Sequence, residues 1–306
     1  MYDKIAGKLA RGETIILDGG TGTDIQSRGA PMSGDTWCAD VNLTHPDIVR
    51  QVHEAYVKAG ADIVIANTFA TSVFLFSHIN RLADIAKIDR IAVKLAQEAV
   101  KGTDVAVAGS ISTMRPMSSG SDRNNLAVTW PEDEVRALYR GKTQTLIDAG
   151  VDIIMMELLR DTDYAVWAAE TVTELAAKSR VPVWIGISAE RSADGGLQGW
   201  GREDCAFDEV SRALAAVNPA VMNVMHTSPN DTGEAISILK KYWDGPIGTY
   251  PESGYFKSPD WVFVDVISPE ELLARSREWQ KQGASLFGGC CGIGPGHIEL
   301  LARNMR

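Results

Sequence analysis

The sequence has few cysteines and no stretch suited to enter or cross a membrane. Four of its 306 residues are cysteine, and two of these, Cys290 and Cys291, are adjacent, which does not fit a disulfide-stabilised scaffold. The longest apolar runs, such as 151–156, are far shorter than the roughly 20 residues of a membrane-spanning helix. Residues 1–13 lack the apolar core of a signal peptide. We therefore expect a cytoplasmic protein with reduced thiols and no membrane partner.

The sequence also lacks an excess of positive charge. Thirty Lys and Arg residues stand against forty Asp and Glu residues, which gives a formal net charge of −10. The basic residues are scattered along helix-like segments rather than clustered, and a surface of this kind repels polyanions. Nucleic acid is therefore not an expected partner.

What the sequence does contain is a regular alternation of short apolar runs and amphipathic stretches. Eight runs have the nearly continuous apolar character of parallel strands that are buried on both faces, and they span residues 14–20, 61–68, 104–110, 151–158, 181–188, 220–227, 246–253 and 284–291. The clearest helical pattern begins near Thr44, has Pro46 in its first turn and ends at Gly60, a suitable C-cap. Segment 79–101 supplies another helix, and six more begin near Pro131, Asp161, Phe207, Asp231, Ser268 and Pro295. Alternating strands and helices predict parallel βαβ units.

Eight such units predict a single (β/α)8 TIM barrel that forms one domain over residues 1–306. A doubly wound open sheet is the competing architecture, but no GxGxxG motif follows a strand and no linker marks a second domain. The longest loops all follow predicted strands, at 19–43, 111–130, 189–205 and 250–267. Because loops on that side build the active site of a barrel enzyme, their length indicates an enzyme.

Reactive side chains collect where the predicted strands end, and the Cys290–Cys291 pair is the most informative of them. The flanking glycines in GGCCG let the backbone bend so that both sulfurs face one point, and thiolates are suitable zinc ligands. The alternative is a pair of small buried residues in a tight turn. His226 ends the sixth strand at the same rim and is our candidate third ligand. Two thiolates and one imidazole leave a fourth tetrahedral position open, as in catalytic zinc sites.

These segments carry a family resemblance. The chain resembles the homocysteine S-methyltransferase family, which includes betaine–homocysteine and S-methylmethionine–homocysteine methyltransferases, in DGGTGTDI (18–25), Trp37, THPDIVRQVHEAYVKAGADIVIANTF (44–69), GSIS (109–112), AGVDIIMMEL (149–158), HTSP (226–229), YPESG (250–254) and GGCCGIGPGHI (288–298). The resemblance implies a (β/α)8 barrel with a zinc ion held by three protein sulfurs, and a substrate thiol at the open position. Cys290 and Cys291 match two of these ligands, whereas His226 stands where the family has its third cysteine.

The His226 departure changes the charge expected at the metal. Zinc with three thiolates carries one net negative charge, whereas zinc with two thiolates and a neutral imidazole carries none. The neutral site is the stronger Lewis acid, so it should deprotonate a thiol more readily and leave a somewhat weaker nucleophile. We expect zinc to be retained.

The resemblance also assigns substrate-binding roles. Asp18 and Glu157 would hold the ammonium group of an amino acid, with the backbone of Gly19 and the hydroxyl of Thr68 close by. Trp37 would face a cationic methyl donor, and an onium methyl over an indole gains about 1–2 kcal/mol. The alternatives are that Asp18 caps its Gly-rich turn and that Trp37 packs in a lid. Further aromatic residues near the seventh strand would either complete an aromatic cage or form a contact in a homo-oligomer: Tyr250, Tyr255, Phe256 and Trp261.

The expected function is zinc-dependent transfer of a methyl group from a small onium donor to a thiol. The donor would be an S-methylmethionine-like sulfonium or betaine, and the acceptor would by default be homocysteine, giving methionine. Two alternatives remain open at this point. One is a diverged family member that methylates another thiol or demethylates another onium compound. The other is a metal-free binding or regulatory barrel.

Overall fold

Eight parallel strands form the centre of the protein, which a computed structural model describes over residues 1–33, 36–116, 125–257 and 262–306. All eight overlap the predicted apolar runs. They are β1 (Ile15–Ile16), β2 (Ile63–Ala66), β3 (Ala106–Ser112), β4 (Ile153–Leu159), β5 (Val183–Ile187), β6 (Val221–Met225), β7 (Ile247–Tyr250) and β8 (Ala284–Phe287).

The strands close into a barrel. Neighbours along the chain pair in parallel from β2 to β8, and β1 pairs with β8 through Ile15 and Leu286. Directly after β1, Leu17 forms a parallel bridge with Ile63 of β2, which joins the two ends of the sheet. This closure confirms the predicted (β/α)8 barrel and excludes the doubly wound alternative, whose sheet stays open.

A helix follows each strand and covers its outer face. These helices are α1 (Pro46–Ala59), α2 (Leu82–Ala99), α3 (Glu132–Asp148), α4 (Tyr164–Ser179), α5 (Phe207–Ala215), α6 (Pro229–Leu239), α7 (Pro269–Lys281) and α8 (Pro295–Asn304). As predicted, α1 has Pro46 in its first turn and ends at Gly60, whose φ of 96° is the left-handed conformation that glycine adopts without strain. In the described parts of the chain, no helix is both long and apolar enough to cross a membrane.

The N-terminal helix Tyr2–Ala10 covers one end of the barrel. Its Ile5 and Leu9 pack against the apolar side chains inside the barrel, and the ring of Tyr2 meets that of Trp184 edge-on at 6.5 Å. Lys8 forms an ion pair of 2.7 Å with Asp62, immediately before β2. Because Asp62 and Trp184 stand at the N-terminal ends of their strands, this helix covers the end of the barrel opposite the predicted active site.

The loops at the C-terminal end contain short elements that the sequence did not predict. The loops after β1 and β2 hold the helices Thr21–Ser27, Val41–Thr44 and Val73–His78. After β5, the strands Ala189–Arg191, Leu197–Gly199 and Arg202–Ala206 form a small antiparallel sheet, here called the rim sheet. After β7, Tyr255–Lys257 pairs with Val262–Val264. Strands of three to five residues are too short to show a clear alternating pattern in the sequence.

A buried ion pair supports the loop after β2. Lys142 of α3 lies 2.8 Å from Asp89 of α2, and both side chains are fully buried. The same ammonium group donates hydrogen bonds of 3.1 Å to the carbonyl oxygens of Thr68 and Thr71. Two helices thereby fix the backbone of a loop that borders the predicted active site.

Candidate active site and metal centre

A cavity of about 410 Å³ lies at the C-terminal end of the barrel, where the sequence predicted the active site. Residues at or just beyond the C-terminal ends of all eight strands contribute to its wall, as expected for a barrel enzyme. The lining includes several residues predicted from the sequence: Gly19, Trp37, Glu157, His226, Cys290 and Cys291.

The Cys290–Cys291 turn depends on glycines that bring three backbone segments together. At Gly289 a Cβ atom would lie 2.1 Å from Cγ2 of Ile293, so no larger residue fits. Gly292 has a φ of 80°, and a Cβ there would meet the carbonyl oxygen of Ser253 at 2.2 Å. The turn is then fixed by a hydrogen bond of 2.8 Å from the Cys290 N–H to the carbonyl of Pro251. The GGCCG motif therefore directs both cysteines toward the cavity rather than into the core.

His226 completes a three-residue cluster with the two cysteines. Its Nδ1 lies 3.6 Å from Sγ of Cys290, and that sulfur lies 4.0 Å from Sγ of Cys291. All three donor atoms lie within 4.8 Å of one another. Zinc–ligand bonds of about 2.0–2.3 Å in a tetrahedron place ligands roughly 3.4–3.8 Å apart, so the cluster needs only small adjustments to hold zinc.

The backbone of His226 is itself held in an uncommon conformation. Its φ is 44°, which a residue with a side chain seldom adopts. A hydrogen bond of 3.2 Å from its N–H to the carbonyl of Tyr250 keeps it there. The indole of Trp200, from the turn between two strands of the rim sheet, meets the imidazole edge-on at 4.9 Å. Such strain at a chain position that also carries a reactive side chain is typical of functional sites.

Protons and charges in this cluster are linked. Burial lowers the pKa of the His226 imidazole, but Glu252, 3.1 Å away, and Cys290 outweigh burial and raise it to about 9. The hydrogen bond with Cys291 and burial raise the pKa of the Cys290 thiol well above its usual range. A metal ion that binds these groups must therefore displace protons from them.

Two buried carboxyl groups lie beside the cavity. Glu157, at the end of β4, lines the cavity and accepts a hydrogen bond from the hydroxyl of Ser110, while burial raises its pKa to about 7. Asp18 lies behind the wall, where its Oδ2 accepts a hydrogen bond of 2.7 Å from the Ile65 N–H. Its Oδ1 has no partner within the described segments, and burial together with the Glu157 charge raises its pKa well above the usual range. A cationic group bound between them would stabilise both carboxylates.

Gly19 and Thr68 are the other two residues predicted to bind substrate, and only Gly19 lines the cavity. A Cβ at Gly19 would lie 2.3 Å from the Ile293 carbonyl oxygen. The Thr68 hydroxyl donates to the Ser110 carbonyl at 2.9 Å and accepts from the Ser110 N–H at 2.8 Å. In the structure this hydroxyl thus joins the loop after β2 to β3 and lies behind the cavity wall.

Aromatic rings form part of the cavity wall. Trp37 lies over Gly22, where a Cβ would come within 2.5 Å of the indole, and meets Phe69 edge-on with a centroid distance of 6.2 Å. Phe69 and Trp200 were missed by the sequence reasoning, although both line the cavity. Phe69 follows Thr68 directly at a strand end, a position that would have signalled it. Trp200 carries no such signal, because only the folded rim sheet brings it to His226.

Some predicted residues lie elsewhere or outside the described parts of the chain. Tyr250 is buried and lines the cavity. The other predicted aromatic residues, Trp261 and the side chains of Tyr255 and Phe256, lie outside the described residues. So does the segment 117–124 of the long loop 111–130. Cys38 and Cys205 are buried free thiols. Neither belongs to the cluster of possible metal ligands that the described residues form around His226.

Comparison with known proteins identifies the family. Residues 15–305 match the family model of homocysteine S-methyltransferases. The chain belongs to the homocysteine S-methyltransferase family. It is therefore an S-methyltransferase, as the resemblance implied, and family membership indicates small-molecule substrates.

Relatives of this family match the chain over nearly its full length. It is 27% identical to homocysteine S-methyltransferase 1 of Zea mays, with 96% of this chain and 95% of the relative covered. It is 28% identical to homocysteine S-methyltransferase YbgG of Bacillus subtilis (94% and 93% covered) and 25% identical to selenocysteine methyltransferase of Astragalus bisulcatus (94% and 91%). The fold is similar to that of the homocysteine methyltransferase MmuM of Escherichia coli in its metallated form, with a TM-score of 0.74, 24% identity, and 95% and 96% covered.

Proposed function

We propose that this protein transfers a methyl group from a small onium donor to the thiol of homocysteine, giving methionine, and that it requires zinc. The observation that carries this proposal is the cluster of His226, Cys290 and Cys291 at the wall of a cavity formed by all eight strand ends. The names of the relatives support homocysteine as the acceptor.

Each group of residues has a distinct part in the proposed reaction. Cys290, Cys291 and His226 would hold zinc, which would act as a Lewis acid and lower the pKa of a substrate thiol toward neutrality. The chain supplies no nucleophile of its own in this reaction. Its side chains bind and orient the two substrates so that the sulfur meets the methyl carbon in line with the bond that breaks, and this proximity contributes several kcal/mol to catalysis.

The carboxyl groups and aromatic rings of the cavity fit the two substrates. Glu157 and Asp18 would bind the acceptor ammonium group, because both are buried and the charge of Glu157 acts on Asp18, so a cation bound between them would stabilise both carboxylates. Trp37 and Phe69 offer apolar and π surface to an onium methyl group. An S-methylmethionine-like sulfonium is our first choice of donor, and betaine is the second.

His226 favours one alternative, a family member that acts on a different acceptor. With a histidine in place of a third thiolate, His226 and the two cysteines would make a bound zinc ion a stronger Lewis acid, which would leave the acceptor sulfur less basic. An acceptor that is intrinsically more nucleophilic than homocysteine, such as a selenol, would tolerate this change. One of the relatives is a selenocysteine methyltransferase.

A turnover assay with paired acceptors tests the proposal. Zinc-supplemented protein is incubated with homocysteine or selenocysteine and a panel of sulfonium and betaine donors, and the methylated products are quantified by mass spectrometry. The proposal expects methionine from homocysteine with at least one donor. If selenocysteine is methylated and homocysteine is not, the alternative acceptor replaces homocysteine in the proposal. No product from either acceptor, in protein that binds neither zinc nor substrate, would support the metal-free binding barrel.

A further inference from the structure

Arg160 is a buried cation that the proposed reaction does not use. It directly follows β4, and only 1% of the residue is exposed. Its terminal nitrogens, Nη1 and Nη2, have no hydrogen-bond partner among residues 1–33, 36–116, 125–257 and 262–306. Burial lowers the pKa of its guanidinium group to about 10, so the group remains positively charged at neutral pH.

The carboxylate of the next residue, Asp161, already binds two other groups. Oδ2 of Asp161 lies 2.7 Å from Nη1 of Arg202, and its Oδ1 accepts a hydrogen bond of 2.7 Å from the Ala165 N–H. The charge of Asp161 attracts Arg160, whereas the charges of Arg115 and Arg202 repel it. A buried guanidinium group whose two terminal nitrogens make no hydrogen bond among the described residues is costly to the fold, so Arg160 retains the capacity to attract an anion that is not part of the protein.

Arg160 does not line the cavity, but its guanidinium group lies against an aromatic ring that does. The guanidinium carbon lies 5.5 Å from the ring centre of Trp200, which lines the cavity and contacts His226. The rim sheet is fixed against this arginine, because a Cβ at Gly199 would lie 1.9 Å from the Arg160 carbonyl oxygen. A hydrogen bond of 3.1 Å from the Trp200 N–H to Ser188 holds the indole-bearing residue in place.

We propose that Arg160 makes the site selective for ligands that carry a carboxylate, which it attracts across the ring of Trp200. The cavity then recognises a zwitterion by both charges, with Glu157 and Asp18 for the ammonium group and Arg160 for the carboxylate. The inference rests on the proposed function, whose amino-acid acceptor and onium donor can each carry a carboxylate. Since Arg160 acts through Trp200, it is a positioning residue and not a catalytic one.

The test compares ligands that differ only in the carboxylate. Binding to zinc-supplemented protein is measured by calorimetry for homocysteine against 3-aminopropanethiol, and for betaine against tetramethylammonium. In Arg160→Met we expect at least one carboxylated ligand to bind on the order of tenfold more weakly, the size of a unit-charge attraction over roughly 9 Å at an effective dielectric constant of about 20. The carboxylate-free partner should change less than about twofold, and Arg160→Lys should recover most of the loss. The pair that responds identifies acceptor or donor as the source of the carboxylate.

Three results separate failure of this inference from failure of the proposed function. Equal weakening of both members of each pair would show that Arg160 only supports Trp200, and unchanged affinities would show that its charge has no role; either result overturns the inference alone. Wild-type protein that binds none of the four ligands would contradict the proposed function, and the inference with it. Arg160→Met removes a buried charge whose Nη1 and Nη2 make no hydrogen bond among the described residues, so we expect the variant to fold. If Arg160→Met nevertheless fails to fold, Arg160→Gln is measured in its place with the same expectations.

Discussion

Replacing Glu157 by glutamine should stabilise the free protein and weaken substrate binding at the same time. The carboxyl group is buried, and its pKa rises to about 7 from a usual value of 4.5. The folded protein therefore binds this proton more tightly than the unfolded chain does, and stability falls as pH rises from about 4.5 through 7. Above pH 7 the full penalty of the buried charge, about 3 kcal/mol, is present. Glu157→Gln should recover much of it at pH 8 and less than about 1 kcal/mol at pH 5.

The same substitution should remove the partner of the substrate ammonium group. A hydrogen bond to a charged group contributes about 1.5–3 kcal/mol, so KM for homocysteine should rise roughly ten- to 150-fold at pH 8. In the wild type, KM should increase as pH falls below about 7, because the protonated carboxyl no longer attracts the ammonium group. In the variant this dependence should disappear.

Urea denaturation at pH 5 and pH 8 and steady-state kinetics over the same range are the assays. Glu203→Gln, a change at an exposed residue, is the matched control and should alter neither quantity. A variant with the stability and the KM of the wild type at pH 8 would refute both the buried-charge reasoning and the assignment of Glu157 to substrate binding.

Three further predictions follow from the cavity and its supports. Trp37→Ala should weaken the binding of onium donors by about 1–2 kcal/mol, which raises their KM roughly five- to thirtyfold. KM for the thiol acceptor should stay unchanged in the same kinetic assay. An equal change in both KM values would contradict the assignment of Trp37 to a donor site. Lys142→Met should lower the free energy of unfolding by about 3–5 kcal/mol in chemical denaturation, because Asp89 remains buried without its partner. The exposed Lys178→Met is its control, and a loss no larger than that of the control would contradict the role of the buried pair. His226→Ala should lower zinc affinity at least about a hundredfold in competition with a chelator, whereas His226→Cys should retain zinc; equal affinity in His226→Ala and wild type would exclude the imidazole as a ligand.

Most of the fold could be predicted from the sequence because it depends on local patterns. Buried parallel strands appear as apolar runs, and Pro46 and Gly60 mark the two ends of helix α1 in the sequence. Closure of the barrel follows from the number of βαβ units. The rim sheet was missed, since its strands form through contacts with the barrel, such as that between Gly199 and Arg160, and not through periodicity of their own.

The site was predictable where chemistry and position coincide. Cys290, Cys291, His226 and Glu157 lie at the ends of predicted apolar runs, so the topology alone brings them to one rim. The orientation of a hydroxyl depends on its neighbours, which is why the sequence could not show that Thr68 bonds to Ser110. The position of Trp200 beside His226 depends entirely on tertiary contacts of the rim sheet, so the sequence could not show it.

Zinc dependence of methionine formation tests the central claim most directly. We expect about one zinc ion per chain and formation of methionine from homocysteine with an S-methylmethionine-like donor or betaine. Chelation should abolish turnover and added zinc should restore it. Cys290→Ala should lose both zinc and activity, whereas Cys205→Ala, at a buried cysteine away from the cluster, should keep both. Full turnover after complete removal of metal, or zinc-loaded protein that forms no methionine with any donor, would contradict the claim.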